Sequence, residues 1–270
     1  MPTERRYVLE GPVASDIMAL RDASRSAAFL LTHLSPGMRL LDCGCGPGSI
    51  TLGLGRALHP GQVGGIDANR TDIQAARSSA IAMGIANATF QVGDAGALDF
   101  PDRSFDAVFF HGVLCHLADP LRALREARRV LREGGILGAR EPYERGNIRY
   151  PPDTLFDRGW DLYFRLRRHN GGDPAIGERL PWLLREAGFD DIVPSASYES
   201  FGPRDSRLRI GPAMLSEAAS PLATQLVELG WATEEELKAI AARVVAWNDS
   251  PSSFSARAWC DAIGYRRGPA

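Results

Sequence analysis

The stretch Leu40-Leu41-Asp42-Cys43-Gly44-Cys45-Gly46-Pro47-Gly48 constrains the fold of this chain more than any other segment. Arg39 to Asp42 reads as a short buried strand, and Ser49 to Leu58 as the helix that follows it. Between them three glycines stand at every second position, where the lack of a Cβ lets the backbone pass close to a ligand. A strand that runs through a glycine loop into a helix is the opening unit of an α/β sheet that binds its ligand at the strand ends.

The spacing chooses between the readings of such a loop. A dinucleotide fingerprint, G-x-G-x-x-G, requires a third glycine where this chain has Ser49, which disfavours a Rossmann dehydrogenase. Two further strands end in acids: Gln62 to Asp67, and Thr89 to Asp94 with Ala95 after it. Taken singly, an Asp at a strand end is a helix cap or turn former; taken with the loop, it is a candidate ligand acceptor. Ser104 to Phe110 reads as a fourth strand, and Leu131 to Gly138 as a turn and fifth strand. Cys43 and Cys45 lack a second C-x-x-C or a His pair at zinc spacing, so they read as small apolar residues filling the loop, and no metal site is expected.

The G-x-G-x-G loop with an acid two residues before it, followed in order by the four further strands, resembles the class I S-adenosylmethionine-dependent methyltransferases. The segment after the fourth strand is similar to the ubiquinone/menaquinone-biosynthesis, small-molecule kind (type 11). The resemblance implies a Rossmann-like, seven-stranded mixed α/β sheet with helices on both faces, an antiparallel last strand, and a helical lid. It implies S-adenosyl-L-methionine as cofactor and S-adenosyl-L-homocysteine as product. Asp42, Gly44, Cys45, Gly46 and Gly48 would face the amino-acid end of that cofactor, Asp67 with Ala68 and Asn69 its ribose, and Asp94 with Ala95 its adenine. The chain reads as one domain over 1–270, with a cofactor core at 36–140, lid or substrate insertions at 142–177 and 203–250, and an N-terminal helix, within 12–34, over the site.

Composition agrees with this class. At 270 residues and 44% hydrophobic content the chain can bury one large core with room for a smaller subdomain. A formal charge of −2 carries no electrostatic footprint for nucleic acid. No apolar run approaches the ~18 residues needed to cross a bilayer, and four cysteines with no signal-like start point to a cytoplasmic setting. The expected partner is a small-molecule acceptor, with neither nucleic acid nor integral membrane contact, and self-association into a homo-oligomer is compatible with the sequence.

Outside the core, Asp16 to Leu34 reads as an amphipathic helix with Ile17, Leu20, Ala27, Leu30 and Leu31 on its apolar side. Arg21 and Arg25 lie on it, and the resemblance favours Arg21 as a fork onto the cofactor carboxylate. Ile176 to Gly188 reads as a helix stopped by glycine, leading into a strand at Asp191 to Tyr198. Thr233 to Glu236 is a capping box opening a helix to about Trp247, and Ser253 to Ala262 suits a final strand. Trp160, Tyr163 and Phe164 gather in the first insertion and, with His169, are candidate acceptor contacts.

Methyl transfer from a sulfonium needs alignment and exclusion of water more than it needs a catalyst group. A base helps when the acceptor is a phenol, an alcohol or an activated carbon. His111, directly after the fourth strand and also a candidate cofactor contact, and His116, five residues on, stand where the resemblance places the methyl-transfer site; the alternative is that they satisfy backbone carbonyls beside the cofactor. A cofactor-binding protein that serves as a partner or regulator without transfer is the rival class.

Overall fold

The apolar run Arg39–Cys43 forms β1 in the computed structural model, which describes residue 15, residues 18–203 and residues 221–268. Parallel to it lie β2 (Gln62–Asp67), β3 (Ala88–Val92), β4 (Phe105–His111) and β5 (Leu131–Pro142). They stand in the order β3-β2-β1-β4-β5, so the chain reverses its direction of travel across the sheet between β1 and β4. A crevice opens at such a reversal, outside the carboxyl ends of the strands.

Alternate residues along these strands feed two apolar layers, as a two-residue period requires. Leu41, Val108 and Leu137 pack under the helices Pro120–Val130 and Leu180–Glu186. Their neighbours Leu40, Ala107, Phe109 and Ile136 pack with the helix Ser49–Leu58 and with Ala23, Ala27 and Leu30. Helices therefore cover both faces, as expected.

The C-terminal strand β8 (Phe254–Tyr265) runs antiparallel to β5 along one edge and to β7 (Asp190–Phe201) along the other. Among the described residues the sheet has one strand more than the expected seven. β6 (Ile148–Tyr150) pairs with residues 254–256 of β8, just beyond the place where β5 stops. The first insertion was expected to be lid throughout, but it begins by extending the sheet, because β8 is 12 residues long and its free edge offers unpaired backbone groups.

The rest of that insertion is the helix Thr154–His169. It shares an apolar cluster with the helices Pro221–Glu228 and Glu234–Asp249 of the second insertion, in which Phe156 stacks on Trp247 at 4.6 Å. The part of the second insertion at 204–220 lies outside the described residues. At the capping box, Thr233 accepts from the Glu236 backbone N–H at 3.1 Å. The reciprocal bond is replaced: the Glu236 carboxylate takes the Arg158 guanidinium at 2.9 Å, tying the two insertions together.

The single N-terminal helix is corrected. Asp22 sits in extended geometry (φ −136°, ψ 156°) and accepts from the Arg25 N–H, so it caps a new, short helix, Ala23–Ser26, which Ala28–Leu31 follows. An Asp at a helix start satisfies an orphan N–H better than a continuous helix would use it. Ala27 and Leu30 are buried as expected, whereas Leu20 is exposed; Asp16 and Ile17 lie outside the described residues. The expected Ile176 helix divides into a 3-10 turn, Ile176–Arg179, and Leu180–Glu186, and Gly188 at φ +88° ends it.

Candidate active site

The glycine loop lies at the mouth of the crevice, and its three glycines have positive φ of 77°, 51° and 83° for different reasons. A Cβ on Gly44 would collide with the Val113 side chain, and one on Gly48 would stand 2.8 Å from the Ala76 Cβ and 3.0 Å from the Phe90 ring. These two glycines let protein approach protein. Only at Gly46 is the space open, with the Met18 sulfur at 3.7 Å as the nearest atom. The expectation that all three serve close approach to a ligand is thus corrected: Gly48 packs the loop onto β3 and the helix Arg70–Ala82, and it does not line the crevice.

Asp67 ends β2 and holds the loop in place. Its Oδ2 accepts from Gly46 N at 2.8 Å and its Oδ1 from Asn69 N at 2.9 Å. Burial raises its pKa from the ordinary carboxylate value, against the lowering effect of these backbone N–H groups. Asp42, buried one residue before the end of β1, accepts from Thr51 Oγ1 at 2.6 Å; burial pushes its pKa up to about 7. Asn69 caps the next helix through its side chain, accepting from Thr71 and Asp72. Asp94 lies two residues beyond β3, exposed, with Oδ1 accepting from Gly96 N at 2.7 Å in a turn.

β4 delivers His111 to the crevice floor, and the backbone then folds into a 3-10 turn, Leu114–His116. His111 is buried against Trp259, with ring centroids 4.9 Å apart, and its Nδ1 stands 3.4 Å from the Arg21 guanidinium. Burial, then Arg21 and Arg140, hold its pKa well below the usual imidazole value. His116 is held low as well, by burial and then by Arg167 and Arg21.

The group that shapes this turn was not singled out from the sequence. Glu141, fully buried on β5, accepts from the backbone N–H groups of Val113, Leu114 and Cys115 at 2.9, 2.8 and 3.1 Å. One carboxylate thus satisfies three donors at the start of the turn, and its pKa is raised by burial. Its neighbour Arg140 is also buried and pairs with Asp261 across β8 at 2.9 Å. Two adjacent charges inside the apolar run Gly135 to Pro142 were the available signal, since ionised residues are almost never fully buried unless paired.

Three cavities meet around these groups. The largest, 720 Å³, is lined by the loop residues Asp42, Gly44, Cys45 and Gly46, by Asp67, Ala68 and Asn69, by Asp94 and Ala95, and by Arg21, His111 and His116. A second, 70 Å³, lies under the lid against Trp160, Tyr163, Phe164 and Trp259, and shares Arg21, Gly112 and His116 with the first. The third, 590 Å³, lies behind His111 against Arg140 and Ser195–Ser200 of β7. Arg21 reaches the site from the break before Asp22 and not from a helix, while Arg25 is exposed and pairs with Asp22. His169 is corrected: it is exposed, its ring meets Trp231 edge-on at 5.2 Å, and it lines none of these cavities. Cys43 and Cys45 are buried free thiols, and no cluster able to hold a metal ion occurs among the described residues.

A doubly wound sheet whose strand ends carry a glycine loop and an acid on the neighbouring strand is the frame of a cofactor-binding domain. Residues 34–152 match the family described as "Methyltransferase domain". Over 265 residues the chain is 31% identical to the "Probable methyltransferase" of Aspergillus luteorubrus, covering 91% of this chain and 92% of that protein. Over 216 residues it is 30% identical to an uncharacterised methyltransferase of Schizosaccharomyces pombe, covering 76% and 77%. Over 131 residues it is 34% identical to a demethylmenaquinone methyltransferase of Staphylococcus aureus, covering 48% and 51%. Among solved structures, YcgJ of Bacillus subtilis superposes with a TM-score of 0.60 at 23% identity over 90% and 99% of the two chains, a likeness of fold. The chain belongs to the methyltransferases. Among the described residues no helix is long and apolar enough to cross a membrane.

Proposed function

We propose that this chain methylates a small, partly apolar molecule, with S-adenosyl-L-methionine in the 720 Å³ cavity and the acceptor under the lid. The observation that carries this reading is the shared border of the two cavities at Arg21, Gly112 and His116, which brings an acceptor to the cofactor without passage through water.

The residues present fit the cofactor. The volume lies within the ~300–1,000 Å³ of small-molecule sites, and the open space at Gly46 is one that a Cβ would fill. The Asp67 oxygens already accept backbone N–H groups from the loop and the next helix start, and their remaining lone pairs would take the two ribose hydroxyls. The Arg21 guanidinium would fork onto the amino-acid carboxylate, and Asp94 would take the adenine amino group. When bound, the cofactor supplies an electrophilic methyl whose sulfur departs with the bonding pair as the acceptor's nucleophile takes the carbon.

This chain's own part is then to align the nucleophile, exclude water and remove a proton where the acceptor carries one. His116 is better placed for that than His111, because it borders both cavities while His111 faces the cofactor side and the cavity behind it. The setting we propose is secondary metabolism, on the resemblance to small-molecule enzymes of the ubiquinone-biosynthesis kind.

The test is mass spectrometry of cell extract incubated with the protein and methyl-labelled cofactor, which names the acceptor directly. A labelled small molecule is expected. Cofactor binding without any labelled product would favour a non-catalytic, regulatory protein.

A further inference from the structure

The lid cavity is small and its polar lining is richer in donors than in acceptors. At 70 Å³ it is well below the ~150 Å³ that holds a benzene ring. It is therefore a recess for a head group, and a ring would lie at its border with the larger cavity. Arg21, Arg167 and Arg257 line it with a single carboxylate, Glu144, whose Oε1 receives Arg168 and whose Oε2 is buried without a hydrogen-bond partner among the described residues, so donors outnumber acceptors in the lining. Trp160 and Trp259, each 5% exposed, also line it, and their indole N–H groups are buried with no hydrogen-bond partner among the described residues. A buried donor left unsatisfied is costly and rare, so each such group points to a missing acceptor.

Arg257 is fixed for recognition by its neighbours. Its guanidinium carbon stands 5.7 Å from the Trp160 ring and 5.0 Å from the Phe201 ring, in the range of cation–π contact. Arg167 is buried, 5.8 Å from the Tyr163 ring. Guanidinium forks held by aromatic faces are suited to planar, bidentate oxyanions.

Resting on the function proposed above, we propose that the acceptor is an aromatic carboxylate, whose carboxyl group enters the recess among Arg167, Arg257 and the two indole N–H groups. Its ring then lies at the Gly112–His116 border, where a ring substituent meets the methyl donor.

The test uses the full chain saturated with S-adenosyl-L-homocysteine. It is titrated with 2-hydroxybenzoate and 1-hydroxy-2-naphthoate and with their carboxamides, read by heat and by tryptophan fluorescence. The acids are expected to bind about tenfold or more tightly than the amides, since hydrogen bonds to charged groups are the stronger ones. Arg257→Gln should abolish that preference while S-adenosyl-L-homocysteine affinity stays within about twofold, and Arg257→Lys should restore part of it. If Arg257→Gln does not fold, the acid-to-amide ratio of the parent decides. Amides that bind as well as acids, or no binding by either series to the cofactor-loaded chain, would overturn the inference while leaving methyl transfer standing. Failure of S-adenosyl-L-homocysteine itself to bind would overturn the function and this inference together.

Discussion

Asp67 Oδ2 accepts from Gly46 N at 2.8 Å, so the acid that ends β2 also holds the glycine loop that ends β1. The same carboxylate is the proposed acceptor for the ribose hydroxyls, which couples loop geometry to cofactor affinity. Asp67→Ala is expected to weaken S-adenosyl-L-methionine binding by at least ~1.5–3 kcal/mol, the worth of hydrogen bonds to a charged group. Asp94→Ala should cost less, because that side chain is exposed and water can replace it. Calorimetry showing parental affinity for both variants would remove the assignment.

The glycines separate binding from stability. Gly46→Ala places a methyl in the cavity and should weaken cofactor binding by about tenfold or more, with a ~1–2 kcal/mol loss of stability from its positive φ. Gly48→Ala bears the same backbone cost and adds overlap with Ala76 and Phe90, so its urea midpoint should fall further. Equal midpoints for the two variants would contradict the packing role of Gly48.

Asp42 makes stability depend on pH. Its folded pKa, about 7, is raised above the unfolded carboxylate value of 3.8, so the folded state holds a proton that the unfolded state has already lost. That contribution is present in full below about pH 4, declines as pH rises towards 7, and stays lost above it. Asp42→Asn, which is neutral throughout, should therefore gain in Tm relative to the parent between pH 4 and pH 8. A Tm difference that does not change with pH would show that folding does not raise the Asp42 pKa.

If His116 is the base, His116→Ala should reduce kcat by ~10²–10⁴. Its acid limb should lie well below the ordinary ~6.5, because burial and the two arginines disfavour the imidazolium. Activity should then be flat from pH ~6.5 to 8. Arg21→Gln removes one of those cations, and at saturating cofactor it should move the limb to higher pH. A His116→Ala variant that keeps more than about a third of the parental kcat would show that transfer rests on positioning alone.

Phe164 stacks on Trp160 at 5.0 Å and borders the recess while half-buried, so it can be truncated at less cost than the fully buried Trp160. Phe164→Ala is expected to raise the acceptor KM several-fold while cofactor affinity stays within about twofold. An unchanged KM would take the lid out of acceptor recognition.

What could be read from the sequence was whatever local chemistry decides. The helix Ser49–Leu58 and the strand Gln62–Asp67 have the boundaries expected of them, because a glycine loop, an apolar period and an acid at a strand end all act within a few residues. The places where expectation failed are those where distant residues compete for one group. Asp22 ended a helix that apolar spacing would have continued, and Glu236 left its own capping box for Arg158. Gly44 and Gly48 look like Gly46 in sequence, and only Val113, Ala76 and Phe90 show that they serve packing. Glu141 and Arg140 read as charges in a strand until folding brings three backbone N–H groups to one and Asp261 to the other. Local hydrogen bonding and hydrophobic period thus determined the cofactor half. The proposed acceptor half, built from segments more than 90 residues apart such as Trp160 and Trp259, was decided only when the tertiary fold closed them on one recess.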